Sequence, residues 1–251
     1  MNKRFEGQVA LVTGGADGLG KGIGVRLAME GASVVLLDNN TQKLTDTVGG
    51  LQQKGFDVTG ETADIGDEEQ VAAIFSKVDQ QFGKLDVLVN SAGIVGPTAT
   101  PITQYETDAF DAIYRVNLRG AFLITKYGIP LMQENGYGRV LLIASIAGKE
   151  GNPFMVGYST MKAGVIGLVK GVAKEYADKG ITVNGLAPAV IKTAMNADTS
   201  AEQLAYMTSK IPMGRLGTVE EVAAISSWIV SPEASFSTGF VFDVSGGRAT
   251  Y

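Results

Sequence analysis

Short apolar runs recur along this chain, and each is followed by a longer segment of helical character. The runs are QVALVT (8–13), SVVLLD (33–38), DVTGETAD (57–64), LDVLVN (85–90), RVLLIAS (139–145), ITVNGLAP (181–188) and GFVFDVS (239–245). The segments between them predict helices near 18–30, 41–54, 67–82, 107–134, 154–179 and 218–230. Strands alternating with helices predict βαβ units and an α/β fold, with a parallel sheet covered on both faces. The apolar runs agree, because a strand buried on both sides needs no polar alternation. Glycine and proline fall at the turns and no linker or low-complexity segment divides the chain, so residues 1–251 are expected to form one domain. One interval breaks the rhythm: 189–217 is long, contains Met and Thr, and is weakly periodic. It reads either as a flexible substrate flap with a short helix or as an ordinary surface excursion.

Composition narrows the function. With 251 residues, 45% of them hydrophobic, and a mean hydropathy of +0.14, there is ample material for a large core. A net charge of −5, a pI near 4.9 and the lack of a dense basic run argue against a nucleic-acid partner. The apolar run of MNKRFEGQVALVTGG is too short for a signal peptide, and no stretch approaches the roughly 20 apolar residues that span a bilayer. There is no cysteine, hence no disulfide or thiolate, which fits a cytoplasmic location. There is no histidine either, so a metal site of the zinc type is not expected. Any proton transfer near neutral pH must then use other side chains.

The first turn carries the first chemistry. TGGADGLG, residues 13–20, follows the first strand and opens a helix, with glycines at Gly14, Gly18 and Gly20 in the pattern TGxxxGxG. Such glycines let the backbone turn sharply and approach a pyrophosphate at the positive end of the next helix. Asp38 ends the second strand, 18 positions after Gly20, where a carboxylate can accept hydrogen bonds from ribose hydroxyls and repel a 2′-phosphate. Asp17 adds negative charge, while Asn39 and Asn40 supply no cation. These residues point to NAD over NADP.

Taken together, TGGADGLG (13–20), NSAG (90–93), Asn117, Ser145 and YSTMK (158–162) resemble the short-chain dehydrogenase/reductase family, in its compact single-domain form, over about residues 5–245. The resemblance implies a Rossmann-type doubly wound fold with a seven-stranded parallel sheet and helices on both faces. It also implies hydride transfer between a nicotinamide and an alcohol or carbonyl carbon. A free tyrosine has a pKa of about 10, so on the order of a thousandth is ionised at pH 7. Lys162 lies four residues beyond Tyr158 on the same helical face, where its ammonium can favour the phenolate. Tyr158 would then accept the alcohol proton, with Ser145 hydrogen-bonding the reacting oxygen. YMTSK at 206–210 repeats the spacing, with Thr193 thirteen residues before it, but Thr193 follows no strand, so Tyr206 and Lys210 are read as surface residues.

By the same resemblance, Asn117 sits mid-helix and helps hold a water beside Lys162, although a helix–helix hydrogen bond is an equal reading of a polar residue there. Cofactor contacts are implied at Gly14, Asp17, Gly18, Leu19, Gly20, Asp38, Asp64 (to adenine), Ile65, Asn90, Ala92, Gly93, Tyr158, Lys162, Pro188 and Thr193. The family's Pro-Gly after the sixth strand reads Pro188-Ala189 here. The expected activity is that of an NAD-dependent dehydrogenase on a secondary alcohol or ketone. The rival readings are an NADPH-dependent 3-oxoacyl-thioester or other carbonyl reductase and a non-catalytic NAD(H) sensor. The small residues Ala163, Gly164, Gly167 and Gly171 suit a close partner helix, and the resemblance implies a homotetramer. Lys149 and Arg248 suggest a small anionic substrate such as a hydroxy acid or sugar-derived acid, with Glu150 able to neutralise Lys149.

Overall fold

The computed structural model describes residues 3–193, 201–249 and 251. Seven strands form one sheet: β1 (Val9–Thr13), β2 (Ser33–Asp38), β3 (Val58–Thr62), β4 (Val87–Asn90), β5 (Gly138–Ile143), β6 (Ile181–Pro188) and β7 (Val241–Val244). All neighbours pair in parallel, in the order β3-β2-β1-β4-β5-β6-β7. The direction of winding therefore reverses between β1 and β4, and a parallel sheet opens a crevice at the carboxyl ends of the strands at such a reversal.

Alternation along each strand feeds two cores. Val9 and Leu11 face one side with Val140, Leu142 and Val183, and Ala10 and Val12 face the other with Leu36, Val89 and Leu186. The first side is covered by α3 (Glu68–Phe82), α5 (Gly120–Glu134) and α7 (Val156–Tyr176), through Ile74, Phe75, Ile124, Val165 and Val169. The second is covered by α1 (Gly18–Met29), α2 (Thr41–Gln52) and α9 (Val219–Ile229), through Ile23, Leu27, Leu44 and Val222. Burial of each such side chain contributes about 1.5–3 kcal/mol, which is why the runs stay apolar on both faces.

The helix expected over 107–134 is one rod with a changed pitch. It comprises α4 (Thr107–Ile113), a π-helical segment (Tyr114–Arg119) and α5. Asn117 lies in the π-helical part, the kind of local widening that occurs at functional sites. A five-residue helix, α6 (Ile146–Glu150), was not expected from the periodicity, since it is barely longer than one turn. The short helix expected inside 189–217 is α8 (Ala201–Ser209); residues 194–200 of that interval lie outside the described residues. The interval is pinched at its base, where Lys192 N donates to Gly217 O (2.9 Å) and Gly217 N to Val190 O (3.1 Å). Among the described residues, no helix is long and apolar enough to cross a membrane.

Candidate active site

The loop after β1 is shaped by its glycines. Gly14 (φ +66°) and Gly18 (φ +54°) occupy the left-handed region that penalises other residues. A Cβ at Gly14 would lie 3.0 Å from Ala92 N, so the loops after β1 and β4 meet at bare-backbone distance. A Cβ at Gly20 would collide with the Gly14 carbonyl, which lets the first turn of α1 close down on the loop. This is a cradle that side chains would fill, at the N-terminal end of a 12-residue helix, and it fits the pyrophosphate of a dinucleotide. Leu19 packs on the α1 side of the core.

Asp38 is fixed beside this cradle: its carboxylate accepts from Ala16 N (3.1 Å) and Asn40 N (3.0 Å). Asn39 and Asn40 supply no cation, but one arrives from further along the chain. Lys43, in the first turn of α2, reaches Asp17 Oδ2 at 2.5 Å and holds that carboxyl below the usual carboxylate range. Asp64 is likewise engaged, by Gly66 N (2.8 Å) and Arg115 Nη1 (2.7 Å), and Ile65 buries its side chain against Gly120 in the core. For Ile65, contact with a ligand is thus left to the backbone.

Asn90 ends β4 beside Thr13, its register partner on β1. Thr13 Oγ1 donates to Asn90 Oδ1 (2.7 Å) and accepts from Ser91 N and Ala92 N (3.1 Å each), stitching the two strand ends together at the reversal. Thr13 opens the pattern TGxxxGxG, but its role in joining the two strand ends was not legible there, because its partners lie 77–79 positions away. A Cβ at Gly93 would lie 3.2 Å from Asn117 Oδ1 and 3.6 Å from Lys162 Nζ, so these three residues converge. The Asn117 amide is used twice by one residue: Oδ1 accepts from Ile94 N and Nδ2 donates to Ile94 O, both at 2.8 Å. It clamps the loop after β4, and no helix–helix bond was found for it among the described residues.

Ser145 follows β5 and caps α6, its Oγ accepting from Ala147 N at 3.1 Å. Its hydroxyl also faces Tyr158, near the start of α7. Burial raises the Tyr158 pKa, and the Ser145 hydroxyl opposes that rise. Lys162 is 5% exposed, and burial lowers its pKa from 10.5 to about 8. Its ammonium donates to Ile143 O at 2.7 Å and lies 5.7 Å from the centre of the Tyr158 ring. From spacing alone Lys162 would stabilise the phenolate; here desolvation dominates both groups and favours their neutral forms.

Pro188 ends β6, and Ala189 N donates to Val244 O at 3.2 Å. Thr193 comes back over the glycine loop: a Cβ at Gly18 would lie 4.0 Å from its Cγ2. Tyr206, in α8, is exposed, with Lys210 over its ring at 4.4 Å, as a surface pair would be.

The two cations expected to hold a substrate carboxylate are already occupied. Arg248 donates to Glu150 Oε2 and to Asn152 Oδ1, both at 3.0 Å. Lys149 Nζ donates to the Tyr251 backbone oxygen. Glu150 therefore pairs with Arg248 and not Lys149, and Nε and Nη2 of the guanidinium are engaged within the chain itself. The reason is topological: β7 delivers Arg248 and Tyr251 next to the segment after β5.

The family described as enoyl-(acyl carrier protein) reductase matches residues 14–249. The chain is 45% identical over 249 residues to the 2-dehydro-3-deoxy-L-rhamnonate dehydrogenase (NAD(+)) of Sphingomonas sp., covering 99% of this chain and 98% of that one. It is 36% identical over 244 residues to the 3-oxoacyl-(acyl-carrier-protein) reductase FabG of Thermotoga maritima, with 97% and 98% covered. The crystal structure of levodione reductase superposes with a TM-score of 0.93 at 32% identity, covering 98% of this chain and all of that one (100%). Fold, strand order, glycine cradle and full-length similarity agree, and the chain belongs to the short-chain dehydrogenase/reductase family.

Proposed function

We propose that this protein is an NAD-dependent dehydrogenase that oxidises a secondary hydroxyl of a small sugar-derived acid. The observation that carries the chemistry is the convergence of Gly93, Asn117 and buried Lys162, with the Tyr158 ring 5.7 Å from the Lys162 ammonium, at the crevice where the glycine cradle lies. The substrate class follows the 45% identical relative, which acts on a deoxy sugar acid by its name. Arg248 is not offered as the carboxylate binder, because its Nε and Nη2 already engage Glu150 and Asn152.

In this reading Gly14, Gly18, Leu19 and Gly20 shape the pyrophosphate site, Asp38 takes the adenosine ribose, and Asp64 and Ile65 border the adenine. Asn90, Ala92, Gly93, Pro188 and Thr193 line the nicotinamide end. Bound there, the nicotinamide supplies the hydride acceptor. Tyr158 takes the proton of the substrate hydroxyl, and Ser145 orients the reacting oxygen while holding the phenol. Lys162 fixes the proton path at the floor of the site, and Asn117 holds the loop after β4 so that Gly93 stays against Lys162. Asp17 and Asp38 set the preference for NAD, with Lys43 offsetting part of that charge. General acid–base catalysis is worth about 10²–10⁴ in rate, so Tyr158→Phe should lose about that factor while still binding NAD.

A second reading is favoured by the description of the matched family and by the Thermotoga relative: reduction of a 3-oxoacyl thioester with NADPH. A direct comparison decides. Formation of NADH from NAD⁺ with 2-dehydro-3-deoxy sugar acids should exceed NADPH oxidation with acetoacetyl thioesters in kcat/KM, and the reverse order would overturn the proposal. A non-catalytic sensor would show neither.

We read residues 1–251 as one domain acting in the cytoplasm, with 189–217 as the substrate flap. Its assembly is a homotetramer. Ala163, Gly167 and Gly171 are exposed along α7, and Tyr114 and Phe122 are exposed on the neighbouring rod at 45% and 48%. Light scattering at micromolar concentration should give four times the chain mass, and a monomer would refute it.

A further inference from the structure

Helix α6 has five residues, too few to hold its own geometry, since a helix this short in isolation is not stable. It is held at three points. Ser145 caps its first turn. Its middle rests on α7, where a Cβ at Gly148 would lie 2.6 Å from the carbonyl carbon of Lys162. Its far end is fastened by the segment after β7. Arg248 Nε donates to Glu150 Oε2 (3.0 Å), Arg248 Nη2 donates to Asn152 Oδ1 (3.0 Å), and Tyr251 OH donates to the Lys149 carbonyl (2.6 Å).

These contacts are packed. The Arg248 side chain is 10% exposed, and Ala249 is 6% exposed. Asn152 in turn donates its N–H to Ser159 Oγ (3.0 Å), and Ser159 is the residue after Tyr158. On its other flank the same segment meets the end of the 189–217 interval, where Met213 N donates to Gly246 O at 3.1 Å. Arg248 thus grips the piece of chain that runs from Ser145 to Asn152, and that piece in turn meets the start of α7, beside Tyr158, through Asn152 and Ser159.

We propose that Arg248 is a positioning residue: by gripping Glu150 and Asn152 it fixes the tilt of α6 and so keeps the Ser145 hydroxyl on the Tyr158 phenol. A guanidinium suits this task, because its rigid planar fork can serve two acceptors at once where an ammonium is a point charge. The inference rests on the reading of Tyr158 as the acid–base group, and it concerns how that group is held.

The test is a charge swap, with Arg248→Glu, Glu150→Arg and the double variant. Arg248→Glu should lower kcat by about 10-fold or more, with NAD affinity within about twofold of wild type. The Tyr158 titration, followed by NMR of ring-labelled tyrosine and assigned with Tyr158→Phe, should move up by about one pH unit as the Ser145 hydroxyl moves away. The double variant should recover most of both effects, and Arg248→Lys should fall between. Singles that match wild type in kcat and titration, or losses that the double variant fails to recover, would overturn the proposal. The titration needs no turnover. If wild type oxidises no sugar acid, the substrate reading fails alone, and a Tyr158 midpoint unmoved by Arg248→Glu still overturns the positioning role.

Discussion

Replacing Lys162 by methionine should abolish turnover and stabilise the ligand-free protein at neutral pH. The lysine is 5% exposed, and burial brings its pKa from 10.5 to about 8. A drop of about 2.5 corresponds to about 3.4 kcal/mol, since each pH unit is worth 1.36 kcal/mol. The sign follows from proton binding. Between pH 8 and 10.5 the unfolded chain holds the proton more tightly than the folded one, so wild-type stability rises with pH across that window. The penalty is fully present below pH 8 and is relieved by about pH 10.5.

Methionine removes that penalty but strands the Ile143 carbonyl, now bonded at 2.7 Å, at about 1–3 kcal/mol. The net gain at pH 7 is about 0.5–2 kcal/mol. For a chain of this size about 2–4 °C accompanies each kcal/mol, so Tm should rise by about 1–8 °C. Thermal unfolding of wild type and Lys162→Met, at pH 7 and again near pH 10, checks both size and slope. The advantage of the variant should shrink or reverse at the higher pH. A variant that melts below wild type at pH 7, with a gap indifferent to pH, would refute the claim that burial outweighs the Ile143 bond.

Two further outcomes follow from the geometry. Asp17→Asn should free Lys43 and improve kcat/KM with NADP⁺ a few-fold, the range of an exposed charge contact of up to about 1 kcal/mol, and adding Lys43→Gln should cancel the gain. Gly148→Ala should force α6 away from the Lys162 backbone, costing about 1–3 kcal/mol in urea unfolding and lowering kcat more than cofactor affinity.

The layout of the fold was legible because each piece of evidence for it is local. Seven apolar runs and the turns between them suffice for a parallel sheet, and the strand reversal then puts Gly14, Asn90 and Gly93 at one crevice. What escaped the sequence was partner choice across long separations. Arg115 reaches Asp64 across 51 positions, and Arg248 reaches Glu150 across 98. No local pattern encodes such pairs, since they exist only once the sheet has brought its strand ends together. Lys43 is an intermediate case. The expected start of this helix at 41 already put Lys43 in the first turn, but not the long-range contact with Asp17 in the glycine loop.

The chemistry shows the same division. The pattern YSTMK locates a tyrosine and a lysine one helical turn apart, and spacing alone suggests that the ammonium steadies a phenolate. Burial is a property of the whole fold, and it acts on both groups against charge, raising the phenol and lowering the amine. Of the groups around Tyr158, it is the Ser145 hydroxyl that opposes that trend directly. If Tyr158 is the acid–base group proposed above, its readiness for proton transfer depends on how firmly Ser145 is held, and on charge brought into the crevice by what binds there. On the proposed reading, a spacing motif names the reacting groups, and α6 with the segment that fastens it sets the state in which they wait.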